Sequence, residues 1–267
     1  MLEHIENFIL DMDGVLWHGD TPMPGFVEFF ATLRSTGRNF VLATNNASKT
    51  PAQYITRFKN FGVEINEAQV LTSSEATGSY LAEKYAPGTA VYVIGGDGIQ
   101  HAVRRRGFEI LTVEDVMVHG KRAEVVVVGF WRDVSYKEFA AGAVCINHGA
   151  TFVGTNPDVS FPSEWGNLPG AGSFLALLEA ATSQKPITVG KPGVIIFEDA
   201  LKRLGGTKEN TAMVGDRLNT DIEGANAAGL NSILVLSGIS SRADLAHVNG
   251  NQPDFVFADI SELAQNL

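Results

Sequence analysis

The chain has 267 residues, long for one domain and comfortable for two, and with 45% hydrophobic and 19% charged residues it can bury a sizeable core. Its formal net charge of -10 argues against general affinity for nucleic acid or an anionic membrane, since each wants a basic face. Cys145 is the only cysteine, so no disulfide forms within the chain, and a reducing, cytoplasmic setting is the expectation. The opening residues, MLEHIENFILD, lack the basic-then-apolar pattern of an export signal. Nowhere do about 18 apolar residues run uninterrupted, so no membrane-spanning helix is expected.

In chain order, short apolar strands alternate with helices. Strands are expected at residues 8–10, 40–43, 90–94, 125–128, 151–154, 187–189, 212–214 and 232–236. Most are apolar throughout rather than alternating, which suits strands covered on both faces. Over residues 24–38, Phe26, Phe29, Phe30 and Leu33 fall at helical spacing, and Gly37 stands near the end. Pro51 and Pro192 each mark a first helical turn, where a missing N–H costs nothing. Ile196, Phe197, Ala200, Leu201 and Leu204 then line one face before Gly205. Such alternation predicts right-handed βαβ crossovers and an α/β fold with a doubly wound parallel sheet. The middle of the chain has strands and helices of its own, with the glycine-rich stretches IGGDGI and NLPGAGS. Residues 80–184 read as a domain inserted into a discontinuous first domain of residues 1–79 and 185–267.

In an open α/β sheet, ligands sit at the carboxyl ends of strands. Four such ends carry unusual residues here. FILDMDG ends in Asp11 and Asp13, FVLATNN in Thr44, Asn45 and Asn46, ITVGKPG in Lys191, and AMVGDRLNTD offers Asp216 and Asp221. Three or four ionised carboxylates share a small site only if a cation offsets their repulsion. Oxygen donors favour a hard ion such as Mg²⁺, which leaves Lys191, Thr44 and backbone N–H groups to hold phosphate oxygens. An aspartate beside that ion is a competent nucleophile for phosphorus, and a second carboxyl two residues on can move the protons. Asp11 is the expected nucleophile and Asp13 the expected acid/base. Each motif alone has a plainer reading: DMDG as a turn, Lys191 as a solvated lysine, Thr44-Asn45-Asn46 as a loop or helix cap. Their ordered placement at strand ends favours one site.

DMDGVLW, TNN, GKP and GDRLNTDI, in that order, resemble the haloacid dehalogenase superfamily of phosphohydrolases, and more closely its NagD-like, 4-nitrophenylphosphatase branch. FVGTNPD and LPGAGSFLALLEAAT look like that branch's α/β cap, so the likeness covers nearly the whole chain. The resemblance implies a Rossmann-like core, obligatory Mg²⁺ and a small phosphate ester as substrate. It makes Asp11 the nucleophile, and Asp13 the acid/base that also gives the metal its backbone carbonyl. It gives Thr44 and Asn45 to phosphate binding, with Asn46 beside them, and makes Lys191 the charge-balancing lysine. Asp216 becomes a direct metal ligand and Asp221 a further acid, bound directly or through water. It also implies a homodimer paired through the cap.

The expected activity is therefore Mg²⁺-dependent hydrolysis of a phosphomonoester, such as a nucleotide monophosphate, a sugar phosphate or 4-nitrophenyl phosphate, through a covalent aspartyl-phosphate. A dehalogenase would need neither Asp13 nor Asp216. A phosphomutase or phosphotransferase would share every motif, and a receiver-like protein would become phosphorylated without turnover. In the inserted domain, FWRD (130–133) and TNPDVS (155–160) are the specificity candidates, with Asp97 in GGDGIQ beside them. PGAGS (169–173) reads as a tight connection, Cys145 as a small core residue and His18 as a loop residue; Trp17, Trp131 and Trp165 are either core or cap-lining.

Overall fold

A computed structural model describes residues 2–47, 49–247, 250 and 252–267. The chain begins with β1 (Asn7–Leu10), all four residues of which are buried. A tight turn leads to the hairpin β2 (Trp17–His18) and β3 (Thr21–Pro22), then to α1 (Phe26–Ser35). The face of α1 read from the sequence is the one that packs: Phe26, Phe29, Phe30 and Leu33 are buried, and the Phe30 ring meets Phe26, Phe29, Phe40 and Phe58 at 4.9–5.4 Å. Next come β4 (Asn39–Thr44), α2 (Pro51–Asn60) with Pro51 at its first position, and β5 (Val70–Thr72).

From there the chain builds a second compact unit, which comprises residues 72–190 together with 45–50. Its elements are α3 (Ser73–Lys84), β6 (Ala90–Ile94), α4 (Asp97–Arg105), β7 (Glu109–Leu111), α5 (Val113–Met117), β8 (Val125–Val128) and α6 (Tyr136–Asn147). They continue with β9 (Thr151–Gly154), the hairpin β10 (Ser160–Ser163) and β11 (Gly166–Pro169), α7 (Ala171–Thr182) and β12 (Ile187–Thr188). Five of these strands form a parallel sheet in the order β12-β9-β8-β6-β7. The order reverses between β6 and β8, so this unit has its own topological switch point. Cys145 is fully buried in its apolar core.

The remainder returns to the first unit: α8 (Val194–Leu204), β13 (Thr211–Gly215), α9 (Glu223–Ala228), β14 (Asn231–Val235), β15 (Phe255–Phe257) and α10 (Ile260–Gln265). Its six-stranded sheet runs β15-β14-β13-β1-β4-β5, the doubly wound Rossmann-like order with the reversal at β1. Asn7 faces Thr211 on one side and Asn39 on the other, which aligns the carboxyl ends of all three strands.

Several local expectations need revision. The second unit extends beyond residues 80–184 at both ends, because β12 pairs with β9 and α3 packs on α4. Pro192 does not open a helix: it follows Lys191 through a cis bond, in a turn that precedes the N-cap Gly193. Strands β5, β7 and β15 have three residues each, too short to print an apolar run.

Candidate active site

Two adjacent parallel strands of the first unit, β1 and β13, aim chemistry at one spot. Asp11 directly follows β1, and its N–H donates to the Val214 carbonyl of β13 at 2.9 Å. Asp216 directly follows β13, and Asp221 lies in the single π-helical turn Leu218–Ile222 that comes next. One oxygen from each of Asp11, Asp216 and Asp221 lies within 4.8 Å of the others. Lys191, 2% exposed, reaches in from the turn before α8: its Nζ is 2.5 Å from Asp11 Oδ1 and 2.7 Å from Asp221 Oδ1.

Glycines make room for these acids. A Cβ on Gly215 would stand 2.2 Å from the Cβ of Asp221, and one on Gly14 would stand 2.4 Å from Asp216 Oδ2. Gly14 also has φ +86°, a conformation that side chains with a Cβ rarely adopt. Two further carboxylate oxygens are held by backbone donors. The Ile239 N–H donates to Asp216 Oδ2 at 2.7 Å, and the Arg217 N–H donates to Asp221 Oδ2 at 3.1 Å.

The electrostatics are unbalanced. Three carboxylates against the one buried ammonium leave an excess of negative charge when all are ionised, although the Arg217 guanidinium also eases Asp216. Burial, with the charges of Asp221 and Asp216, pushes Asp11 up to about 8 despite Lys191. Burial and the Asp221 charge likewise push Asp216 up to about 6. Burial works against the Lys191 ammonium, but Asp11 and Asp221 outweigh it and hold the lysine above its ordinary range. Among the described residues, Asp216 Oδ1 is buried with no hydrogen-bond partner. An unspent oxygen, an all-oxygen donor set and an excess of negative charge fit a hard divalent cation.

Asp13 stands apart from this cluster. It is exposed, and its Oδ1 accepts a 2.8 Å hydrogen bond from the indole N–H of Trp17. Thr44, buried at the end of β4, shares a side-chain hydrogen bond with Tyr54. Burial, and then the negative charge of Asp13, raise the Tyr54 phenol above its usual range. Asn45 and Asn46 belong instead to the second unit. The Asn45 carbonyl accepts from Ser73 Oγ and Asn156 Nδ2, and its amide donates to Asp158 Oδ2 at 3.2 Å; Asn46 is half-buried. His18 is exposed on the hairpin and donates through Nε2 to the Ser237 carbonyl. Trp17 and Tyr54 were missed as site residues by sequence reasoning; the four-residue spacing in DGVLW was the available signal for the first.

The second unit's candidates also lie at strand ends. GGDG follows β6, FWRD opens two residues after β8, and TNPD follows β9, next to that sheet's switch point. The Gly96 N–H donates to the Phe130 carbonyl, which ties the first two loops together. PGAGS is a tight connection: a Cβ on Gly170 or Gly172 would stand 2.3 Å from the Asp158 or Pro157 carbonyl oxygen.

Comparison with known proteins is consistent with this geometry. Residues 8–109 match the haloacid dehalogenase-like hydrolase model, and residues 188–263 match a second HAD hydrolase-like model. A 5′-nucleotidase of Bacillus subtilis (strain 168) is 36% identical over 237 residues, 89% of each chain. The structure of NagD from Escherichia coli K-12 superimposes with a TM-score of 0.87 at 33% identity, covering 97% of this chain and 98% of that one. A glycerol phosphate phosphatase from Mycobacterium tuberculosis, solved in complex with magnesium, gives a TM-score of 0.88 at 31% identity, covering 98% of this chain and 77% of that one.

Proposed function

The chain belongs to the haloacid dehalogenase-like hydrolases, as a NagD-like phosphomonoester hydrolase, and from that premise we propose that it works through an aspartyl-phosphate on Asp11, with Mg²⁺ as its metal. The observation that carries the reading is the buried trio of Asp11, Asp216 and Asp221 with the Lys191 ammonium held between Asp11 and Asp221.

Asp11, Asp216 and Asp221 would hold the ion, Asp221 directly or through water, with the Asp13 backbone carbonyl beside them. When bound, Mg²⁺ would draw charge from the phosphoryl oxygens and lower their repulsion toward a carboxylate. Asp11 forms the new O–P bond as the ester O–P bond breaks. Asp13 gives its proton to the departing alkoxide, then takes one from the water that cleaves the acyl-phosphate and frees Asp11. Lys191 balances charge throughout and aligns Asp11 through the 2.5 Å contact. Thr44, with Asn45 and Asn46, is assigned to the phosphate oxygens.

We assign the organic part of the substrate to the second unit, read as the inserted cap, with the 130–133 and 155–160 loops as selectors. Pairing of two copies through that unit belongs to the same proposal. The substrate class is a small phosphorylated metabolite, for which the nucleotidase and glycerol phosphate relatives provide the first panel. A cytoplasmic location is proposed on the single, buried, unpaired Cys145; among the described residues no helix is long and apolar enough to cross a membrane.

The test is phosphate release from 4-nitrophenyl phosphate. It should require Mg²⁺, stop with chelator and disappear in Asp11→Asn; substantial turnover by that variant would rule out the nucleophile. In Asp13→Asn, turnover should fall far more than Mg²⁺ affinity, and equal losses would make Asp13 a metal ligand only.

A further inference from the structure

An acid/base on an exposed loop has a problem of its own. A short carboxylate that turns freely spends little time aimed at a leaving oxygen, and orientation is a large part of what a proton donor contributes. Asp13 is such a residue, yet its carboxylate is not free. Residues 12–17 fold into one closed turn: the Leu16 N–H donates to the Met12 carbonyl at 2.8 Å, and the Gly14 N–H donates to the Trp17 carbonyl at 2.9 Å. That closure carries the Trp17 indole back beneath Asp13, where its N–H donates to Oδ1 at 2.8 Å.

Trp17 itself is packed on every side. It is fully buried, with Tyr54 stacked on it at 6.5 Å and 17°, and Phe58 edge-on at 5.6 Å. The Arg57 guanidinium lies 4.2 Å from the indole centroid, and the same group donates to the Gly19 carbonyl and pairs with Asp20 at 3.6 Å. Arg57 thus fastens both the indole and the hairpin that follows it. A buried indole N–H needs an acceptor, and this one spends its only donor on an exposed carboxylate rather than on a buried carbonyl.

We propose that Trp17 is a positioning residue for Asp13: its clamped indole N–H pins Oδ1 and leaves Oδ2 for proton transfer. The inference rests on the acid/base role given to Asp13 above.

The test compares an alkyl phosphate, glycerol phosphate, with 2,4-dinitrophenyl phosphate, whose leaving group needs no proton. In Trp17→Phe, which keeps an aromatic plane and loses the N–H, kcat/KM for the alkyl ester should fall roughly ten- to a hundredfold, part of what a general acid supplies. For the dinitrophenyl ester kcat/KM should change less than about threefold, while kcat falls as phosphoenzyme accumulates behind slow water attack. In an Asp13→Asn background, Trp17→Phe should cost nothing further, because the group it aims is gone. Equal losses on both esters, or additive losses in the double variant, would overturn the proposal. If Trp17→Phe does not fold, Arg57→Gln loosens the indole with its N–H in place. It should show the same leaving-group bias more weakly, and no bias would again overturn the inference. Failure of the parent reading looks different: Asp13→Asn alone would then show no dependence on the leaving group.

Discussion

Lys191 sits where removing one charge changes the character of the whole cluster. Its ammonium is buried between Asp11 and Asp221, and breaking a buried ion pair from one side typically costs about 3–5 kcal/mol because the partner charges stay behind. Lys191→Met should therefore destabilise the metal-free protein by about that amount, with Mg²⁺ recovering part of it; urea unfolding with and without the ion measures both. Asp216→Asn should raise the Mg²⁺ needed for half-maximal rate by more than roughly tenfold, since even an outer-shell partner of a metal ligand is worth about 10–100-fold. A Mg²⁺ requirement unchanged in that variant would remove Asp216 from the ligand set. At this scale much was legible in the sequence, because an acid directly after an apolar strand has few reasons to be there other than chemistry. The hydrogen bond from Trp17 to Asp13 was not: DMDG marks a turn, but which side chain the closed turn brings back to Asp13 is decided by packing distant in the chain.

Strands and helices carry the site through their ends, and here small side chains matter as much as large ones. Gly14→Ala would put a methyl 2.4 Å from Asp216 Oδ2 in a backbone conformation that alanine resists. We expect about 1–2 kcal/mol of lost stability from the backbone alone, and a larger loss of Mg²⁺ affinity, read by calorimetric titration. Phe30→Ala offers the contrast: its ring meets four other phenylalanines, so stability should fall by about 3–5 kcal/mol. Because it touches none of the acids, kcat of the folded fraction should be unchanged. Strands 90–94, 125–128 and 151–154 coincide with their expected limits because each, Thr151 apart, is free of polar side chains or nearly so and fixed by a sheet neighbour on both sides. The hairpins and the three-residue strands escape, since their pairing is decided by partners distant in the chain. Lys191-Pro192 shows the same limit from another side: a proline before a helix can occupy the approach rather than the first turn.

For the molecule as a whole, the unbalanced cluster couples stability to pH. The folded, metal-free protein holds on to a proton at Asp11 from the ordinary value of 3.8 up to about 8, and at Asp216 from 3.8 up to about 6. The native form binds more protons than the unfolded chain over that window, so these groups add stability in acid that is lost as pH rises. The melting temperature of chelated protein should therefore decline between about pH 5 and about pH 8, and saturating Mg²⁺ should flatten the slope; a rise over that window without metal would contradict the assignment. The strand order has a further effect, which begins at the ribosome. Central strand β1 finds one neighbour in β4 but waits for β13, where Asn7 meets Thr211, so that edge stays open until the far end of the chain emerges. At ~5–20 residues per second the delay is roughly ten to forty seconds. Residues 72–190 form a nearly contiguous stretch that can close in the meantime. Nascent chains stalled so that residue 190 has cleared the ribosome but Thr211 has not should thus carry a protease-resistant middle and a cleavable, chaperone-accessible beginning.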